Sequence, residues 1–347
     1  MGRIRRVLVA GALVVAGVAG SAGWAAGDAQ VAVTGPPSGT AAWRADRVDG
    51  EPLPDPVGST PRQVALFMGR LSPAQQHGLA RRHPQVVGNL DGVPVPLRYE
   101  ANRLAIAATH DPRYTRLAAP DRQILAFDPR GRGQVAEVYG ELPHATHVAV
   151  VVPGSDIDAR TFDRANAPYG TPAGMAAALR GATRGEVAVI AWAGYTTPVG
   201  VGIDAASGRL AEAGAGRLAR FTEGLDAVGA PDPVLFCHSY GSVVCGLAAR
   251  HTDASDIVAL GSPGMRAGSV TELGTRARVW AAKDPSDWID DVPHIEFAGL
   301  GHGADPTDPA FGARRIPAAD AKGHTGYFAP GTESLDSFAA IALGDVR

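Results

Sequence analysis

Lysine is almost missing from this chain. Lys283 and Lys322 are the only two among 347 residues, and arginine carries the rest of the positive charge. With the abundant alanine and glycine, that bias reads as GC-rich codon usage. Charge of either sign is modest: charged residues make up 19% and the net charge is −3. Without a basic run or patch, nucleic acid and other polyanions are excluded as expected partners. No glycine-rich phosphate loop follows a first strand, so nothing calls for a nucleotide cofactor. His302, Asp305 and Asp308 fall near one another but match no metal-ligand spacing, and neither metal nor cofactor is expected. No internal repeat is present. What the chain has is apolar residues, 45% of the total. That is enough for a packed core, in a length suited to one large domain or two small ones.

The first 26 residues read as a secretory signal. Arg3, Arg5 and Arg6 form a basic start, 7–18 is an apolar run, and small residues lead to Asp28. An uncleaved membrane anchor is the alternative, because 7–26 is just long enough to span a bilayer. The expected location is therefore secreted or in the cell envelope, with membrane association through this segment if it is retained. Export gives the two cysteines weight. Cys237 and Cys245 fall on a strand and on the helix that runs back along it, where they could face each other as a disulfide. Two buried thiols are the plain alternative.

Residues 27–58 are rich in Gly, Pro, Ala and Asp without periodicity, and read as a low-order linker. A helical unit is expected over 59–120. Thr60-Pro61 and Ser72-Pro73 open two helices as N-cap and first position, and 98–109 forms a third with Leu97, Leu104 and Ile106 on its apolar side. From 121 to 347 the pattern becomes α/β. Strands are expected at 123–127, 134–139, 147–152, 186–192, 234–237, 256–260 and 278–282. Helices follow Thr171-Pro172, cover 209–228 and close the chain at 336–343. Alternation of this kind implies a mostly parallel sheet with helices on both faces.

The most telling segment is Cys237-His238-Ser239-Tyr240-Gly241. It follows the apolar run Val234-Leu235-Phe236 and precedes the small-residue stretch from Ser242 to Ala249. Strand, sharp turn bearing one serine, then helix is the nucleophile elbow of α/β-hydrolases, with Cys237 where the first glycine usually stands.

Three segments together resemble the actinobacterial α/β-hydrolases long catalogued as a domain of unknown function, DUF1023. They are His83-Pro84-Gln85-Val86-Val87-Gly88-Asn89-Leu90-Asp91-Gly92-Val93-Pro94 with Ala101-Asn102-Arg103, then 237–246, and finally Asp287-Trp288-Ile289 through Gly301-His302-Gly303 to Gly323-His324-Thr325-Gly326-Tyr327-Phe328. The likeness runs over roughly 60–343. It implies a serine-centred hydrolase fold and leaves the substrate open.

A serine hydroxyl needs a base, and in this fold the order is Ser, acid, His. His324 has the expected late position and matches the family's Gly-His-x-x-Tyr pattern; His302, also glycine-flanked, is the alternative. His238 is expected to pack or orient the elbow. The acid should follow the strand at 278–282, where Asp284, Asp287, Asp290 and Asp291 crowd, and Asp287 is favoured over Asp284. The oxyanion hole is expected from the N–H of Tyr240 and that of Ser155 or Asp156, with Gly154 permitting close approach; Gly154 and Asp156 are also candidates for the substrate pocket. Trp192 and Tyr195, with His302, are candidates for the substrate pocket or for core packing. The turn Asn89-Leu90-Asp91-Gly92 is expected to fix the helical unit against the sheet. The expected function is an exported, esterase-like serine hydrolase that cleaves an ester, thioester or amide of a small-molecule or lipid-like acyl substrate through an acyl-enzyme. A non-catalytic envelope binding protein and an acyltransferase on the same triad are the alternatives.

Overall fold

The computed structural model describes residues 29–346. The expected signal or anchor over 1–26 lies outside the described residues. Among the described residues no helix is long and apolar enough to cross a membrane.

The segment expected as a low-order linker carries regular structure from Thr40 onward. Helix α1 (Thr40–Ala45) and the hairpin β1 (Arg47–Val48) and β2 (Glu51–Pro52) occupy it, and Trp43 is fully buried. Its indole N–H donates to Pro54 O at 2.6 Å. One large aromatic with a satisfied N–H orders a stretch whose composition alone reads as loop. Helices α2 (Pro61–Arg70) and α3 (Pro73–Arg82) each begin with Pro at the first position and a complete capping box, from Thr60 with Gln63 and from Ser72 with Gln75. They pack with the short α4 (Pro84–Val87) and with α5 (Val95–Ala108) around Trp43, Val64, Met68, Leu79 and Leu97. On α5, Leu97 and Ile106 are buried but Leu104 is 38% exposed, so the apolar face is turned away from Leu104.

The remaining elements form the sheet and its helices. In chain order they are β3 (Ile124–Asp128), β4 (Gln134–Tyr139), β5 (Val148–Val152), α6 (Pro172–Ala182), β6 (Ala188–Ala193), α7 (Ile203–Ala206), α8 (Arg209–Ala227), β7 (Val234–His238), α9 (Gly241–Ala248), β8 (Asp256–Leu260), α10 (Val270–Leu273), β9 (Arg278–Ala282), the hairpin β10 (Glu296–Phe297) and β11 (Leu300–Gly301), β12 (Arg314–Ile316) and α11 (Glu333–Ala342). The eight-stranded sheet has the order β12-β9-β8-β7-β5-β6-β4-β3. It is parallel from β12 to β6 and antiparallel at β6–β4 and β4–β3. The strands alternate between two cores. Val148, Val150 and Val152 face α8 and α9, while Ala149 and Val151 face α6 and α11. This is the α/β-hydrolase fold.

The turn at Asn89 ties the helical unit to the sheet. Asn89 Nδ2 donates to Phe127 O at 2.8 Å, and Phe127 N donates back to Asn89 Oδ1 at 3.1 Å. Asn102 Nδ2 donates to Ile124 O at 2.9 Å and to Gly88 O at 3.0 Å. Gly92 has φ +92°, and a Cβ there would lie 2.0 Å from Pro61 O, so both backbone and space demand glycine.

Candidate active site

Ser239 lies between the end of β7 and the start of α9 with φ +55°, a left-handed conformation that costs a non-glycine residue energy and persists only where surroundings hold it. The hold is visible. Ser239 N donates to Leu260 O at 3.0 Å on the neighbouring strand. Ser242 Oγ donates to Ser239 O at 2.6 Å and pairs with Ser262 Oγ at 2.6 Å. Gly241 lets the helix start against β5, since a Cβ there would lie 2.3 Å from Val152 O. Cys237, in the position usually given to glycine, is joined to Cys245 by a disulfide with a Cα–Cα distance of 6.3 Å, linking β7 to α9. The turn thus directs its hydroxyl toward the carboxyl end of the sheet. The N–H groups of α9 point the same way and favour developing negative charge.

His324 and Asp287 meet directly. Asp287 Oδ1 and Oδ2 lie 2.8 and 3.0 Å from His324 Nδ1. An ionised carboxylate only accepts, so Nδ1 carries a proton, and the neutral tautomer that this selects has its lone pair on Nε2. Asp287 is buried and also accepts from Tyr327 Oη at 2.6 Å and from Ile289 N at 2.9 Å. Burial pushes the Asp287 carboxyl up, but the hydrogen bonds from His324 and Tyr327 outweigh it and hold it below the ordinary value. Burial and the adjacent carboxylate together push the Tyr327 phenol far above its usual value, so it stays a donor.

The His324 loop is fixed from three sides. Asp284, the alternative acid, does not meet the imidazole; it accepts from Ser286 N at 2.7 Å, Gly323 N at 3.1 Å and Lys322 N at 3.2 Å, clamping the loop backbone. His238 Nε2 donates to His324 O at 2.6 Å, and the two rings lie 4.7 Å apart. Burial first, and the nearby His324 second, push the His238 pKa down to about 3, so His238 stays neutral. On the other side the Trp288 ring lies 4.6 Å from His324's and remains 46% exposed. A Cβ on Gly261, just past β8, would sit 3.2 Å from His324 Cε1 and Nδ1 and 2.9 Å from Asp287 Oδ2. The imidazole therefore stands over the ends of β7 and β8, beside the serine turn. Among the described residues neither Ser239 Oγ nor His324 Nε2 makes a hydrogen bond.

The loop after β5 comes equally close. A Cβ on Gly154 would lie 2.6 Å from Ser239 Cβ and 3.1 Å from Tyr240 N. Asp156 is committed elsewhere: its N–H donates to Pro198 O at 2.8 Å and its Oδ1 accepts from Gly200 N at 2.9 Å. Asp156 thus ties two loops together.

Three other expected pocket residues are buried supports. Tyr195 Oη donates to Pro153 O at 2.7 Å and its ring stacks on Trp192 at 6.1 Å, holding the loop from behind. Trp192 instead lines a separate cavity bounded by α8. His302, the alternative base, is buried with Nε2 donating to Ala205 O at 2.7 Å and its ring edge-on to Tyr240 at 5.5 Å. Burial pushes its pKa down to about 4. Its companions in sequence do not converge on it: Asp305 pairs with Lys283 at 2.6 Å and Asp308 caps a 3-10 turn. Asp290, His294 and Asp305 do cluster, but the Lys283 ammonium already bonds both carboxylates, which leaves little call for a cation. Sequence reasoning missed Tyr327 as a partner of Asp287, Ser242 and Ser262 behind the elbow, and Trp288 beside the imidazole. The tyrosine of Gly-His-x-x-Tyr was the one available signal.

A family model described as alpha/beta hydrolase matches residues 128–297 and supports a hydrolase. Two curated relatives, both described as uncharacterized proteins of Mycobacterium tuberculosis, are 28% identical over 383 residues, covering 83% of this chain and 56% of their own length. The chain thus spans little more than half the length of the curated relatives it matches. Among solved structures, one described as a predicted CIB-like hydrolase from Thermoplasma acidophilum aligns at 12% identity and TM-score 0.38, over 65% of this chain and 97% of its own. An α/β serine hydrolase without lid from Xanthomonas campestris aligns at 15% identity and TM-score 0.37, over 65% and 95%.

Proposed function

We propose that the protein is an exported serine hydrolase that cleaves an ester of an apolar acyl group through an acyl-enzyme. Ser239 Oγ attacks the carbonyl carbon while His324 Nε2 takes the hydroxyl proton, and Asp287 stabilises the imidazolium. The N–H groups of Tyr240 and Ser155 receive the oxyanion. His324 then returns the proton to the departing alcohol, and water, activated by the same imidazole, releases the acid.

One observation carries this reading: a serine held at positive φ at a strand end, beside an imidazole whose Nδ1 proton is engaged by a buried carboxylate. The substrate class rests on the rim. Val199 and Val201 follow β6, and Trp288, Ile295 and Phe297 follow β9. All are exposed apolar side chains at the carboxyl end of the sheet, Phe297 at 79%. That is where ligands lie in open α/β folds, and such a rim favours an acyl chain over a charged substrate. Export is supported by the N-terminal pattern and by the disulfide, a bond that persists in oxidising compartments. Cell fractionation that finds the chain in the cytosol would overturn export.

The test is fluorophosphonate labelling together with hydrolysis of p-nitrophenyl esters. Wild-type protein should label at Ser239, and Ser239→Ala should lose about 10³–10⁶-fold in turnover while remaining folded. Unlabelled, well-folded wild-type protein would instead indicate a binding protein. Acyl transfer to an added alcohol in preference to water would indicate an acyltransferase.

A further inference from the structure

A second cavity lies away from the serine, between α8, the start of β4 and the N-terminal stretches at 34–37 and 56–57, with a volume of about 350 Å³. Neither Ser239, His324 nor Gly154 is among its lining residues. Its floor is apolar, from Trp192 and Phe221, and four arginines face two aspartates on its walls.

Two side chains there are unusual. Gln134 is only 3% exposed, yet neither Oε1 nor Nε2 has a hydrogen-bond partner. A primary amide buried without partners is costly and rare, and calls for a reason. Arg217 donates Nε to Gly194 O at 2.5 Å and forms no ion pair among the described residues. Burial pulls its pKa below the ordinary value, as for a cation short of a counterion. The other arginines are better supplied. Arg98 pairs with Asp91 at 3.0 Å and Arg130 with Asp128 at 2.6 Å, while Arg220 donates to Ser59 O at 2.8 Å and reaches Asp91 only at 3.9 Å.

We propose that this cavity binds a small carboxylate that also carries an amide, of the N-acyl amino acid type. The carboxylate pairs with the unused Nη groups of Arg217, a fork suited to bidentate contact. The ligand's amide, trans as secondary amides are, turns one edge to Gln134, its C=O to Nε2 or its N–H to Oε1, and so supplies a partner that the buried glutamine lacks. An apolar side chain rests on Trp192 and Phe221. A phosphate dianion fits less well, because it has no apolar part to rest on Trp192 and Phe221 and would bring two charges toward Asp128 and Asp91.

The test uses the whole chain and reads binding, not hydrolysis, so it stands or falls independently of the proposed esterase activity. N-acetyl-L-phenylalanine is titrated by calorimetry, with N-(2-phenylethyl)acetamide as the analogue lacking the carboxylate and inorganic phosphate as the simple anion. The acid should bind saturably, with Kd at or below roughly 1 mM, and the uncharged analogue at least about tenfold more weakly. Arg217→Gln should weaken the acid by about tenfold or more. Gln134→Leu should abolish binding while raising the ligand-free Tm, because an unpartnered amide is removed; Gln134→Met serves if the leucine variant does not fold. Absence of saturable binding of the acid, equal binding of phosphate, or binding and Tm unchanged in the Gln134 variants would each overturn the proposal.

Discussion

The surroundings of His324 and the cavity beneath the N-terminal unit both bury polar groups, and they treat them in opposite ways. Asp287 receives hydrogen bonds from His324, Tyr327 and Ile289, and Asp284 receives them from Ser286, Lys322 and Gly323. Gln134, no less buried, receives and gives none. The first region is finished before anything binds, as the reaction centre proposed there requires if its dipoles are not to reorganise during the chemistry. The second is complete only with something in it. Native proteins carry few unpaired buried amides, so the contrast separates machinery from a receptacle.

The largest effect should come from unbalancing the finished region. Asp287→Asn keeps the shape but removes the acceptor that fixes the imidazole tautomer. Turnover on a p-nitrophenyl ester should fall about 10³–10⁴-fold with the circular dichroism spectrum unchanged. A loss under tenfold would mean that Asp287 is structural and the contrast is misdrawn. Next comes the brace behind the serine. Removing the link with Cys237→Ala and Cys245→Ala together should cost about 2–3 kcal/mol of unfolding free energy for so short a loop, read by denaturant titration. No change would show that the elbow is held by Ser242 and Ser262 alone.

The smallest effect, and the one that tests completeness most directly, is acid. His238 and His302 have pKa values depressed to about 3 and about 4 by burial. The unfolded chain, with imidazoles near 6.5, therefore takes up protons that the folded chain refuses. Stability is full above that unfolded value and is lost as pH falls below it, down toward the folded values. Between pH 7.5 and 5 each histidine should account for about 2 kcal/mol of lost stability. His302→Gln should flatten the fall by that amount; an unchanged slope would show that the ring is not held neutral.

The fold was legible because its signals are local. The run Val234-Leu235-Phe236 before Ser239, the proline-opened helices at Thr60 and Ser72, and the alternation of strands with helices each lie within a dozen residues. Asp287 and His324 could be named together because the order of acid and base along the chain is a property of the fold, and the structure brings them to hydrogen-bonding distance. What stayed hidden depends on contact across the chain. Tyr327 reaches Asp287 from 40 residues away, and Asp156 spends its N–H on Pro198. Trp192 and Tyr195 sit at a strand end where a pocket is expected, yet Tyr195 turns into packing behind the loop after β5 and Trp192 faces a different cavity. The stretch before residue 58 reads as loop by composition because its order rests on one buried indole, Trp43, and composition does not count single anchors.

The bonds from Asn89 and Asn102 to Phe127 and Ile124 bear on how this chain can be divided. β3 is the last strand of the sheet on its side, and those two amides stand where a ninth strand would otherwise hydrogen-bond. The helical unit is therefore the sheet's edge guard and not a detachable cap. A fragment trimmed to the sheet and its own helices would present a raw strand margin to its neighbours and recruit other copies to cover it.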